Sequence, residues 1–205
     1  MKRISHRELE ELRNDLNSWV AKQKGDKGFM RGGYSQGVKL AINYFHKTQS
    51  FEEAYLYMIK YLDKSKLNNL SRRQEAENEL ASYCNWNKTD SAIMIERRPN
   101  IALKLSNEII LGGQVSRIDM DPENGKCRGI LLSNFADNWR HELRMPLIQK
   151  AIAVRLQRDE TDVMVGVQHV SGTSLQTHFY SSSEIAAAYS EASHLTSKAA
   201  ELLAS

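Results

Sequence analysis

The side chains in this sequence best suited to chemistry are acids. Asp119, Asp121 and Glu123 stand at alternate positions just after an aliphatic run. Carboxylate oxygens so spaced can hold a hard divalent ion such as Mg or Mn. The plainer reading pairs Asp119 with Arg117 or a turn amide and leaves Asp121 and Glu123 in the solvated turn Asp-Pro-Glu-Asn-Gly. Glu96 and Arg98, at acid-x-Arg spacing on a strand, could mimic a catalytic pair, and a cross-strand ion pair is the plainer reading. His169 and His178 have no serine, cysteine or acid placed with them in a nucleophile pattern. The glycines of residues 28–37 and 112–113 lack the Gly-Lys-Ser/Thr ending of a phosphate loop and read as turns. Cys84 and Cys127 have neither a CxxC partner nor a histidine at metal-ligand spacing, which argues against a zinc site or a disulfide framework.

A basic set follows the acids. Arg140, Arg144, Arg155 and Arg158 recur near one face at the helical period of a segment that also carries Lys150. Such a stripe can track phosphates. A solvated face paired with Glu142 and Asp159 would look the same in sequence, so both readings stay open.

These side chains must be positioned by a chain of 205 residues, 41% hydrophobic and 26% charged, with a net charge of +3. That is enough to bury one core, and the charge is compatible with nucleic acid without demanding it. The start, Met-Lys-Arg-Ile-Ser-His-Arg-Glu, lacks the apolar stretch of a signal peptide, and no run reaches the length of a membrane span. A reduced, cytoplasmic protein is expected, with no membrane contact.

The first part of the chain reads as helices. Ser5 is placed to cap a stripe of Leu9, Leu12, Leu16, Trp19 and Val20. Glycines at 25, 28, 32 and 33 interrupt it. Further helices are predicted over 35–47, from Ser50 through Tyr61, and over 71–86. Past Asn87 the pattern changes to short aliphatic segments, 92–97, 101–105, 108–120 and 127–135, separated by Arg-Pro-Asn, Ser-Asn and Asp-Pro-Glu-Asn-Gly. A helix over 139–158, strands at 163–170 and 175–180, and a closing helix from Ser182 to Leu203 complete the order. This predicts an α/β (α+β) fold, a mixed sheet flanked by helices. Residues 1–205 form a single domain, 1–88 its N-terminal helical part and 89–205 its α/β core.

Two stretches then resemble a known family. Gly113-Gln114-Val115-Ser116-Arg117-Ile118-Asp119 is similar to the G-x-hydrophobic-D-R-I-D strand of PD-(D/E)XK nucleases of the RecB-like kind. Glu142-Leu143-Arg144-Met145-Pro146-Leu147-Ile148 is similar to the E-L-Q-L-P-L-Y segment that opens their crossing helix. The resemblance covers roughly residues 90–190. It implies a restriction-endonuclease-like sheet and a site where acidic oxygens hold metal ions that activate water, with a lysine to stabilise charge.

In the same alignment each such position is changed. Ser116 stands for the first Asp, and Leu132-Ser133-Asn134 stands for the D-x-K triplet. An aliphatic side chain binds no metal, and Asn134 is uncharged. Shifting by one residue restores nothing, and no lysine in the chain has Asp or Glu two positions before it. The resemblance therefore implies a catalytically inactive relative with no cofactor. It would be a DNA-binding or scaffold subunit with a protein partner, in an assembly that processes DNA or defends against foreign DNA. DNA contact would be weak and sequence-independent, through Arg140, Arg144, Arg155 and Arg158. The alternative is an active Mg- or Mn-dependent nuclease whose carboxylates have relocated, converging with Asp119 from Glu75, Glu79 or Glu96. A third reading is a regulator that binds protein only.

Overall fold

The computed structural model describes residues 2–24, 34–64, 69–106, 109–133, 138–170 and 174–204. Its elements in chain order are β1 (Lys2–Ser5), α1 (His6–Asn14), α2 (Leu16–Lys24), α3 (Tyr34–Thr48), α4 (Phe51–Lys64) and α5 (Leu70–Thr89). Then come β2 (Ile93–Arg97), β3 (Asn100–Lys104), β4 (Ile109–Gln114), β5 (Arg117–Met120) and β6 (Cys127–Ser133). A 3-10 turn at Trp139–His141 leads to α6 (Arg144–Leu156), β7 (Val163–His169), β8 (Leu175–His178) and α7 (Ser182–Ala204). Among the described residues no helix is long and apolar enough to cross a membrane.

Local chemistry sets several boundaries. The Ser5 hydroxyl accepts from the Glu8 backbone N–H at 3.1 Å while the Glu8 carboxylate accepts from the Ser5 N–H at 2.8 Å. This reciprocal cap starts α1 as expected. The single stripe predicted through Val20 is two helices, because Asp15 turns extended and its carboxylate caps the next one, accepting from the Ser18 N–H at 2.9 Å. Ser181 and Glu184 repeat the reciprocal cap at α7, which begins at Ser182 as the sequence pattern placed it. Pro146 lies in the first turn of α6, where its missing N–H has no intrahelical partner to lose.

Two sheets form. Five strands run in the order β2-β5-β6-β7-β8 and three in the order β1-β4-β3. β6 and β7 are parallel, joined by α6, and the remaining neighbours in the larger sheet are antiparallel. The segment predicted as one strand over 108–120 is divided at Val115-Ser116, where the chain passes from the smaller sheet to the larger. Its partner bends at the same level. Arg98 adopts φ 50° and Pro99 follows it, so neither continues the ladder. Arg98 N–H nevertheless bonds Ser116 O at 2.9 Å and Val115 N–H bonds Pro99 O at 3.2 Å, which keeps the two bends together. β1 has no counterpart among the predicted elements. It pairs in parallel with β4, and Arg3 and His6 side chains then occupy the space a Cβ would need at Gly112 and Gly113.

The core has two parts. One packs α1, α2, α6 and α7 against the smaller sheet and one face of β6 and β7, with Ile152 filling the space above Gly129. The other lies within α3, α4 and α5 and reaches the opposite face of the larger sheet at Leu132 and Val170. Between that helical part and the sheet sits a buried charged cluster. Arg117 and Asp119, each 2% exposed, pair at 2.9 Å. Arg128 reaches Asp119 at 3.3 Å and also binds Asp90. The Arg117 guanidinium contacts Tyr83 Oη, lies 3.2 Å from His46 Nε2 and covers the Trp86 ring at 5.3 Å.

Removing one member of such a pair leaves a buried charge unmatched. Asp119→Ala should therefore cost on the order of 3–5 kcal/mol. The double change Arg117→Met with Asp119→Leu should cost less than Asp119→Ala alone. Urea unfolding followed by circular dichroism measures both. A double variant less stable than Asp119→Ala would contradict the pairing.

Candidate functional site

The corner where β4 passes into β5 meets the end of β6. Ser116 donates its N–H to Ile130 O at 2.8 Å, and its hydroxyl oxygen accepts from the Leu132 N–H at 3.0 Å. The two altered positions named from sequence are thus brought side by side. The Ser116 hydroxyl fastens one strand to the next, and Leu132 packs toward α3–α5. Asn134 lies outside the described residues. A metal pair would require carboxylates at these places, and the side chains present do not fit one.

A cavity of about 290 Å3 opens at this corner, lined by Arg7 of α1, Lys39 of α3, Arg98, Ser116 and Leu132 among others. A second, of about 440 Å3, shares Arg7, Lys39 and Leu132 and continues to Glu10, Glu142 and Arg144. Together they form one cleft with cations along most of its length.

Its acids are confined to one end and are engaged. Glu10 accepts from the Arg144 backbone N–H at 2.7 Å, and Glu142 accepts from Arg144 Nε at 2.5 Å. Burial pushes the Glu10 carboxyl above its ordinary range, with the Arg144 N–H pulling the other way. Arg144 Nη1 lies 3.3 Å from His6 Nδ1, which must accept because a guanidinium has only donors. Burial first, then the Arg144 charge, brings the His6 pKa down to about 4. Lys39 is lowered to about 8, chiefly by burial and then by the Arg7 charge.

The other sequence candidates lie elsewhere. Asp119 is enclosed in the Arg117 cluster and does not line the cleft. Asp121 serves its turn, accepting from the Glu123 N–H at 2.9 Å and from Asn124 Nδ2 at 2.8 Å. Glu96 pairs with Arg155 at 2.7 Å instead of Arg98, whose Nε bonds Gln114 Oε1 at 2.8 Å. Glu79, raised by burial and by Glu75, belongs to α5. Among the described residues no group of three or more His, Cys, Asp or Glu could hold a metal ion. His178 packs against Tyr180 and Trp139, and the Cys84 thiol is pushed up to about 11 by burial.

The predicted arginine stripe is not one helical face. α6 contains Arg144 and Arg155 only, at opposite ends about 16 Å apart along the axis. Arg140 sits in the preceding 3-10 turn over the Trp139 ring, and Arg158 follows the left-handed Gln157 and donates to Gly125 O at 2.5 Å. Arg7 and Lys39 were absent from the sequence reading. No motif marks them, and their place depends on β1 setting the position of α1.

No family model matches the chain, and no curated protein matches it. Among solved structures, the crystal structure of a putative exonuclease from Eubacterium rectale is 9% identical, covers 97% of this chain and 80% of that one, and superposes with a TM-score of 0.58. The crystal structure of SSO0001 is 11% identical, covering 95% of this chain and 84% of that one, with a TM-score of 0.37. The first likeness gives this chain a nuclease-like α/β fold. At that identity it speaks for the fold alone.

Two buried imidazoles make the fold sensitive to acid. His46 Nε2 lies 2.6 Å from Tyr83 Oη, and burial followed by the Arg117 charge lowers its pKa to about 3. The unfolded chain takes up these protons near pH 6.5, whereas the fold resists them to about 4 at His6 and 3 at His46. Stability therefore falls as pH drops below 6.5, by on the order of 1–2 kcal/mol per ring at pH 5. Urea melts at pH 7.5 and pH 5 should show a smaller pH-dependent loss for His46→Gln than for the wild type. An equal loss would contradict a neutral, buried His46.

Proposed function

We propose that this chain is a non-catalytic relative of the PD-(D/E)XK nucleases, serving as a DNA-binding or scaffold subunit within an assembly that processes DNA or defends against foreign DNA. The observation that carries the reading is the contact between Ser116 and Leu132. The strands meet where the resemblance implies a metal site, and a hydroxyl and an aliphatic side chain stand there. Hydrolysis of a phosphodiester by this chemistry needs acidic oxygens around a hard cation, and neither side chain supplies one. The cationic cleft favours a nucleic-acid strand over a protein-only role, since phosphates are drawn to such a surface whatever the base sequence. Arg140, Arg155 and Arg158 remain secondary candidates for backbone contact on the outer surface. A protein partner accounts for keeping the fold when the chemistry is gone.

Purified full chain should leave linear, circular and single-stranded DNA intact with magnesium or manganese. One feature favours a second reading, an active nuclease with relocated carboxylates: Glu10 and Glu142 line the same cleft as Leu132. Cleavage lost on Glu10→Gln and on Glu142→Gln would establish that reading and end the first. Cleavage indifferent to both would point to a contaminating enzyme.

We also propose that residues 1–205 act as one folding unit, because α3 and α5 close over Leu132 and the Arg117 cluster. A fragment from residue 90 onward should be unfolded by circular dichroism. A cooperative melt of that fragment would show two units.

A further inference from the structure

The cleft is asymmetric in charge, and the asymmetry selects a ligand. At the end near Arg144, Glu10 and Glu142 occupy the cation. At the end near Ser116 no carboxylate lines the cavity, while Arg7, Lys39 and Arg98 all do. Among the described residues Arg7 and Lys39 form no ion pair, and the like charge of Arg7 bears on Lys39. Arg7 is exposed and Lys39 half-buried, so an anion that joins the two would offset a like-charge repulsion.

Neutral donors complete the surroundings. The Ser116 oxygen already accepts from Leu132, which leaves its proton to donate. The Gln36 amide lines the same wall. Arg98 is fixed by its bond to Gln114 and by the backbone bend at Pro99. The volume, about 290 Å3, lies at the low end of the roughly 300–1,000 Å3 typical of small-ligand sites. It suits a phosphate group with part of its ester and is too small for a large cofactor.

We infer that the pocket bounded by Arg7, Lys39, Arg98 and Ser116 is a phosphate site that holds one backbone phosphate of a nucleic-acid strand without a metal ion. The lowered pKa of Lys39 agrees with a cation whose counter-charge comes from a ligand. The inference deepens the proposed function and rests on its reading of the cleft as one that holds nucleic acid. It also moves the principal contact from the outer Arg140, Arg155 and Arg158 to α1 and α3.

The test uses the full chain in EDTA. Binding of a fluorescein-labelled single-stranded oligonucleotide is followed by anisotropy at several salt concentrations, and binding of pyrophosphate by calorimetry. The variants are Arg7→Gln with Lys39→Met, the single change Lys39→Met, and, as a comparison, Arg155→Glu with Arg158→Glu. Circular dichroism melts confirm folding, and the single change carries the test if the double fails to fold.

The Arg7/Lys39 double should bind the oligonucleotide about tenfold or more weakly, and its salt slope should fall by about 0.7, the value for one lost phosphate contact on a single strand. The Arg155/Arg158 double should weaken binding less than the Arg7/Lys39 double does. Pyrophosphate should bind the wild type and bind Lys39→Met measurably more weakly. Oligonucleotide binding lost only on the Arg155/Arg158 change would overturn the pocket while leaving the DNA-binding function intact. Pyrophosphate binding that depends on Lys39 with no oligonucleotide binding would keep the phosphate pocket and overturn the DNA-binding function. No binding of either probe would overturn both.

Discussion

A pair of opposite charges two residues apart on one strand, almost wholly shut off from water, is the constraint on which the rest of this structure depends. Arg117 and Asp119 share the face of β5 that looks toward α3 and α5. Charges so placed are costly unless each finds its partners. Arg128 and Asp90 balance the pair, Tyr83 and Trp86 of α5 cover the guanidinium, and a neutral His46 of α3 accepts from it. Shifting either helix would leave a buried charge without its partner, so the cluster fixes how the helical part sits on the sheet. It has a chemical consequence too. The one acid that sequence placed nearest the nuclease position is consumed in structure and kept out of the cleft.

The cleft follows from a second constraint, the shared bend of two neighbouring strands. Arg98-Pro99 on one and Val115-Ser116 on the other turn together, held by backbone bonds between them. That corner separates the two sheets and leaves the cavity between α1, α3 and the end of β6. β1 sets the position of α1 by pairing with β4, and Gly112 and Gly113 admit Arg3 and His6 against the strand. Arg7 then faces the cavity. The arrangement lines this corner of a nuclease-like fold with cations.

Much of this was legible in sequence where the determinants are local. The Ser5 cap, the Asp121 turn and the Arg117–Asp119 pairing all rest on residues within a few positions of each other. The bond between Ser116 and the Leu132 N–H joins positions sixteen residues apart, a pairing that no local rule contains. What failed depended on distant partners or on single breaks. β1 has one aliphatic residue in four, and its strand character comes from β4, more than a hundred residues away. The helix through Val20 looked continuous because Asp15 interrupts no apolar spacing, only the backbone. The arginine stripe assumed a helix over 139–158, whereas the 3-10 turn and the left-handed Gln157 trim it to Arg144–Leu156 and scatter the four side chains. Arg7 and Lys39 meet only in three dimensions.

The central claim is that this cleft meets nucleic acid without a metal ion. It is tested most directly by titrating manganese into the full chain with a short DNA duplex present and reading the free ion by electron paramagnetic resonance. With Ser116 and Leu132 at the strand junction, and with Glu10 and Glu142 bound to Arg144, the free-manganese signal should be no smaller than that of the duplex alone, since cations that meet phosphates release counterions. Retention of one or two equivalents per chain, released on Glu10→Gln or Glu142→Gln, would contradict it.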